Sequence, residues 1–197
     1  MMWDYKTPGI PDKDFERTEK VPITKEEVRT VQISKARLKP GQTVYDVGCG
    51  SGSISVEVAL QVESSGKVIA IDYDQNAVDL TKKNLQKFEL SNVSVILGNA
   101  KEKISELEQA DAIFVGGTGG DTKEIVELSE KKLKAGGRIV IGIILIETLY
   151  SVLQVMDTLQ FQDVDITQVT ISKSRKTTTG TMMLARNPVT IISATKA

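Results

Sequence analysis

The stretch VYDVGCGSGSISVEVA, residues 44–59, decides the fold, because it reads as a buried strand, a glycine turn and the start of a helix. Val44, Tyr45 and Val47 are strand formers. Gly48, Gly50 and Gly52 permit a sharp turn and close backbone approach, and Ile54, Val56, Val58 and Ala59 begin an apolar helix. That succession marks a nucleotide-type cofactor site, and the glycine spacing narrows the cofactor. The dinucleotide fingerprint G-x-G-x-x-G needs glycine at the position held by Ser53, and no Lys-Ser or Lys-Thr pair closes the turn as in a P-loop.

Outward from this turn, strand-length apolar runs alternate with helix-length amphipathic segments. Strands are predicted over 44–48, 68–72, 93–97, 112–115 and 138–144. Helices are predicted from about Ser53, around Ala77, Leu80, Leu85 and Phe88, around Ile125, Val126, Leu128 and Leu133 up to Ala135-Gly136-Gly137, and over 147–159. This βαβ rhythm implies parallel strands covered by helices. Residues 1–23 read as irregular, and 24–39 as a leading helix that stops at Pro40-Gly41. Thr24-Lys25-Glu26-Glu27 has the form of a capping box, with the Thr24 hydroxyl on the Glu27 amide. Near the end, 164–171 and 181–192 read as an antiparallel hairpin joined by a polar loop, 172–180. A slip in alternation between Ile166 and Val169 predicts a bulge near Thr167 or Gln168.

The chain has 197 residues, enough for one domain spanning 1–197. A formal net charge of -1 argues against a general nucleic-acid binder. The polar start and the lack of a membrane-length apolar run predict a cytoplasmic protein with no membrane partner. Cys49 is the single cysteine and reads as a small filler in the turn, and histidine is absent. The usual general base, every Ser-His or Cys-His nucleophile pair and any protein-bound metal cluster are thereby removed.

What remains of the opening motif, an acidic Asp46 followed by G-x-G-x-G, resembles motif I of the class I S-adenosylmethionine-dependent methyltransferases. That cofactor has a sulfonium cation and no pyrophosphate, so an acid beside the loop suits it. A glycine-rich turn of another doubly wound domain is the competing reading of the motif alone. The expected fold is α/β and Rossmann-like, a seven-stranded, mostly parallel sheet with an antiparallel C-terminal hairpin and helices on both faces. Asp72 ends the second strand about 20 residues past the turn, where a carboxylate accepts from two ribose hydroxyls. Gly98-Asn99-Ala100 follows the third strand, placing Asn99 or the Ala100 amide at the adenine edge. Gly116, Gly117, Gly119 and Gly120 surround Thr118 after the fourth strand, and could form an anion-binding concavity or simply a flexible turn.

Taken with these, Gly9-Ile10-Pro11-Asp12, Thr24-Lys25-Glu26-Glu27-Val28-Arg29, the GGTGG loop, Gly136-Gly137-Arg138, Glu147-Thr148-Leu149, Gly180-Thr181-Met182-Met183 and Asn187-Pro188-Val189 extend the likeness along most of the chain. The sequence resembles the cobalt-precorrin carbon-15 methyltransferase (decarboxylating) family of anaerobic cobalamin biosynthesis. The resemblance implies an enzyme that methylates a meso carbon of cobalt-precorrin-6B and removes carbon dioxide from an acetate arm. It also implies cobalt carried by the tetrapyrrole substrate and a homotetramer. Cofactor contacts are implied at Thr24, Gly48, Cys49, Gly50, Ser51, Gly52, Asp72 and Ala100. Neither step demands histidine, because an electron-rich ring carbon can take the methyl group directly and the macrocycle can act as the electron sink. For the polyanionic substrate, Lys173, Arg175 and Lys176 are candidate counter-charges, with Arg17 and Arg186, solvated charges being the alternative; Glu147 is the candidate proton relay or the acidic first-turn residue of the next helix. A methyltransferase acting on RNA or protein, or a non-catalytic adenosylmethionine-binding subunit, are the competing functions on the same sheet.

Overall fold

The computed structural model describes residues 3–118 and 120–197. Among them a short 3-10 turn, Asp12–Asp14, precedes α1 (Glu26–Ala36), β1 (Thr43–Val47), α2 (Ser53–Val62), β2 (Lys67–Asp72), α3 (Gln75–Lys87), β3 (Val93–Leu97), α4 (Ala100–Glu106) and β4 (Ala110–Val115). α5 (Thr122–Lys132), β5 (Leu133–Ile143), α6 (Ile146–Thr158), β6 (Gln162–Val169), β7 (Ser172–Lys176), β8 (Thr181–Ala185) and β9 (Val189–Thr195) follow. Seven strands form one sheet in the order β3-β2-β1-β4-β5-β9-β6, in keeping with the expected seven-stranded, mostly parallel sheet. β1 to β5 pair in parallel, and β9 enters antiparallel between β5 and β6.

The central strands are largely apolar because helices cover both faces. Tyr45, Val47, Ile113 and Ile141 pack with Val126 and Met156 on one side, whereas Val44, Phe114, Val140 and Ile191 meet Val28 and Val58 on the other. Strand residues alternate between these two layers. Among the described residues no helix is long and apolar enough to cross a membrane.

Several expectations need correction. The capping box is not formed: Lys25 is the N-cap of α1 and makes no side-chain cap bond. Asp12 Oδ1 accepts from the Glu26 amide at 2.9 Å instead, and Glu27 turns to Lys173. A distant carboxylate thus performs the capping that the local motif promised to Thr24. α1 also stops at Ala36, before Pro40, with Arg37 in the left-handed region at φ 53°. α4 lacked enough apolar positions to be legible; it is seven residues long and buries Ile104 alone among its described side chains. α5 ends at Lys132, before Ala135-Gly136-Gly137, because Leu133 enters the core and pairs with Ala110.

The terminal hairpin is more elaborate than predicted. β6 pairs with β9, and the expected polar loop contains β7, which pairs with β8 in a separate two-stranded ribbon. The bulge lies between Gln162 and Asp165, where Asp163 has φ 50°; register through Thr167 and Gln168 is regular. The misleading slip came from Ile166, which is 52% exposed on the edge strand and therefore does not report which face is buried.

Candidate active site

The sheet order places a topological switch at β1, which has β2 on one side and β4 on the other. A crevice forms outside the carboxyl ends of strands at such a point, and two lobes of a cavity occupy it. The smaller, about 230 Å³, is lined by Asp72, Tyr73, Asn99, Ala100, Thr118 and neighbours. The larger, about 730 Å³, is lined by Thr24, Lys25, Gln32, Cys49, Arg186 and Asn187 among others. Gly48 and Gly117 line both, so the lobes meet over the β1 and β4 turns.

The β1 turn is held from several sides. Gly48 has φ 75°, and a Cβ there would lie 1.9 Å from the Gly116 carbonyl oxygen. Gly52, at φ 74°, opens α2 against Thr81, whose Cγ2 would be 2.7 Å from an added Cβ. Asp72, buried at the end of β2, accepts from the Gly50 amide through Oδ2 at 2.9 Å and from the Asp74 amide through Oδ1 at 3.0 Å. Its oxygens keep lone pairs toward the smaller lobe. From α3, Thr81 Oγ1 donates to the Gly50 carbonyl at 3.0 Å and Asn84 Nδ2 to the Ser51 carbonyl at 2.8 Å. The sequence reading missed both supports. Their signal is polar side chains three apart on the helix face that carries Ala77 and Leu80.

Asp46 is buried on the α1–α2 side and lines neither lobe; its Oδ2 accepts from Ser55 Oγ at 2.5 Å. Burial pushes its carboxyl up to about 6 against the opposing Ser55 hydrogen bonds, and Asp72 adds to the rise. An unfolded aspartate titrates near about 3.9, so the folded state holds a proton that the unfolded state has already lost. The resulting stabilisation is full below about pH 4 and is lost as pH rises through about 6. Asp46→Asn, which keeps an acceptor for Ser55, is therefore expected to be more stable than wild type by about 2–3 kcal/mol at pH 8. In urea melts the difference should vanish near pH 4; a pH-independent difference would refute this account. Burial likewise pushes the Cys49 thiol up, with Asp46 acting in the same direction, which leaves it an unreactive filler.

The structure brings Thr24, Gly48, Cys49 and Gly50 to the larger lobe, and Asp72, Asn99 and Ala100 to the smaller. Ser51 and Gly52 are buried in the turn beneath them. Asn99 caps α4, its Oδ1 accepting from the Lys101 amide at 2.9 Å, so that oxygen is partly engaged. Gly116, Gly117 and Gly120 line a further cavity of about 300 Å³ beside Thr118 and Thr148. Gly119 lies outside the described residues.

The proposed counter-charges distribute differently. Lys173 reaches α1, 3.3 Å from Glu26 and in contact with Glu27, which raises its pKa chiefly through the Glu27 hydrogen bond. Arg17 is exposed, as are Arg175 and Lys176 on β7, and none of the three lines either lobe. Glu147 is exposed in the first turn of α6 and likewise lines neither. Lys25 and Gln32 were overlooked. Gln32 falls four residues after Val28 on the apolar side of α1, and a glutamine in such a stripe is the signal.

Comparison with known proteins agrees with this geometry. A family model described as "Precorrin methyltransferase domain" matches residues 15–196. The chain is 47% identical over 198 residues, the whole of both chains, to a Saccharolobus solfataricus protein named probable cobalt-precorrin-6B C(15)-methyltransferase (decarboxylating). A Methanobacterium thermoautotrophicum crystal structure described as precorrin 8W decarboxylase superposes with a TM-score of 0.88 at 38% identity, covering 94% of this chain and 98% of that one. A Geobacter metallireducens structure, described as precorrin-6y C5,15-methyltransferase, gives 0.90 at 32%, covering 98% and 100%.

Proposed function

The chain belongs to the precorrin methyltransferase family, and from that premise we propose that it methylates carbon 15 of cobalt-precorrin-6B with S-adenosylmethionine and removes carbon dioxide from an acetate arm. The observation that carries the reading is the two-lobed cavity, whose halves meet at Gly48 and Gly117 over the switch point. The smaller lobe has the size and the acid for an adenosyl group, with Asp72 accepting from ribose hydroxyls and Asn99 or Ala100 at the adenine edge. Bound adenosylmethionine supplies an electrophilic methyl group on a sulfonium. The bare backbone at Gly48 and Gly117 leaves room at the junction, and the larger lobe admits the acceptor beside it. Thr24, relieved of capping by Asp12, borders that lobe near the glycine turn.

The protein's contribution is then positioning, exclusion of water and placement of charge, consistent with a chain that has no imidazole. Cobalt enters as part of the substrate. A cytoplasmic homotetramer completes the reading, supported by apolar side chains left exposed on β6 and β8, among them Ile166 and Met183. Anaerobic incubation with cobalt-precorrin-6B and methyl-labelled adenosylmethionine is expected to give a product that has gained one methyl group and lost carbon dioxide by mass spectrometry. Unchanged substrate, with adenosylmethionine binding verified by calorimetry, would refute it.

A further inference from the structure

The larger lobe contains polar groups that the fold leaves without partners. Gln32, 6% exposed on α1, has a buried Oε1 with no hydrogen-bond partner among the described residues, and its amide faces Gly142 at the carboxyl end of β5. Arg186, just before β9, has a buried Nη1 with no hydrogen bond among the described residues. That nitrogen stands 3.8 Å from Asp12 Oδ2 and 3.9 Å from Glu27 Oε2, near enough for attraction and too far to use the guanidinium fork. Lys25 Nζ stands 3.8 Å from the same Asp12 oxygen. That carboxylate is already engaged by the Glu26 amide and by Arg29 through its other oxygen. Two cations and an amide therefore border one cavity that neither of their acids lines, and those acids are partly committed elsewhere.

We propose that Lys25, Arg186 and Gln32 form a carboxylate subsite that grips an acetate or propionate arm of the tetrapyrrole acceptor. Arg186 supplies a planar fork, Lys25 a point charge, and a half-turn of the Gln32 amide presents its NH2 group to the anion. Burial lowers the Lys25 ammonium pKa, opposed by Asp12 and reinforced by Arg17, Arg186 and Arg29, and a bound carboxylate relieves that cost.

The amino-acid tail of the methyl donor also ends in a carboxylate, but the lobe is longer than that tail. The lobe runs from Gly48 after β1 to Val189 at the start of β9. With β4 and β5 between them, that is three strand spacings, about 14 Å. The tail reaches only about 5–6 Å from its sulfur.

The inference rests on the proposed function, and its test separates the two. In the full chain, Arg186→Gln, Arg186→Lys and Lys25→Met are compared with wild type by calorimetry, with folding checked by circular dichroism. The probes are adenosylmethionine, 5′-methylthioadenosine and, with adenosylhomocysteine present, cobyrinic acid against its heptamethyl ester. Cobyrinic acid binding should weaken roughly tenfold or more in Arg186→Gln and Lys25→Met, while ester and adenosylmethionine binding stay within about twofold. Arg186→Lys should recover part of the loss, since it keeps the charge without the fork. No binding of cobyrinic acid by wild type, unchanged binding in the variants, or equal losses for acid and ester overturns the subsite. Weakened adenosylmethionine binding with unchanged methylthioadenosine binding would assign the cations to the methionine carboxylate and overturn it too. Failure of wild type to turn over cobalt-precorrin-6B would instead defeat the proposed reaction, leaving the titrations to judge the subsite.

Discussion

Gly48→Ala is expected to destabilise the protein by about 3–5 kcal/mol and to abolish measurable cofactor binding. Two independent causes act at this position. The backbone has φ 75°, which alanine adopts at a cost. The added Cβ would also lie 1.9 Å from the Gly116 oxygen and 2.8 Å from its carbonyl carbon. Both neighbours are backbone, so no rotamer change relieves the contact, and the β1 and β4 turns must separate where the two lobes meet. Gly116→Ala is the control, because a Cβ there meets nothing within 4 Å among the described residues. Its urea midpoint should stay close to wild type, and a Gly48→Ala protein melting alongside it would show that the close approach carries no energy.

The second large effect is expected at Arg29, which is fully buried between α1 and α2 and fastens the N-terminal segment to the body of the protein. Its Nε donates to Glu57 Oε1 at 2.6 Å, Nη1 donates to the Thr24 carbonyl at 2.5 Å, and Nη2 donates to the Ile10 carbonyl. Glu57 in turn accepts from the amides of Gly9 at 2.9 Å and Ile10 at 3.0 Å, and Phe15 stacks 4.7 Å from the guanidinium carbon. Arg29→Met removes one partner of this buried pair and leaves Glu57 without its counter-charge, which costs about 3–5 kcal/mol. Adding Glu57→Gln removes the stranded charge while retaining an acceptor for one of the two amides. The double variant should therefore recover roughly half of the lost stability. Losses that simply add across the pair in denaturant melts would contradict the coupling. Because Arg29 also holds the Thr24 carbonyl, the single variant is expected to weaken adenosylmethionine binding at temperatures where it remains folded.

Much of this was legible in the chain itself. The parallel strands are largely apolar runs, so their pattern survives without tertiary knowledge; β3 was located to the residue. The glycine turn, Asp72 and the Asn99-Ala100 corner were readable because short loops at strand ends leave little freedom in where such residues fall. Legibility failed where partners come from far along the chain. Asp12 caps α1 from fourteen residues away, and Lys173 binds acids of α1 across 147 positions. The local motif therefore gave the α1 cap to Thr24, and nothing local showed the partners of Lys173. The edge strand β6 was equally opaque, since it is mostly exposed and its alternation reports no core.

The sequence by itself determined the layered α/β sheet, the glycine turn and the family likeness, because periodicity and glycine placement are local consequences of backbone sterics and burial. Only the tertiary structure decided which charges face the cavity and which are neutralised. It turned Lys173 to α1 and set Lys25, Gln32 and Arg186 around the larger lobe. Charge pairing depends on distances of a few ångströms between segments that the chain order does not relate, and folding alone brings them together.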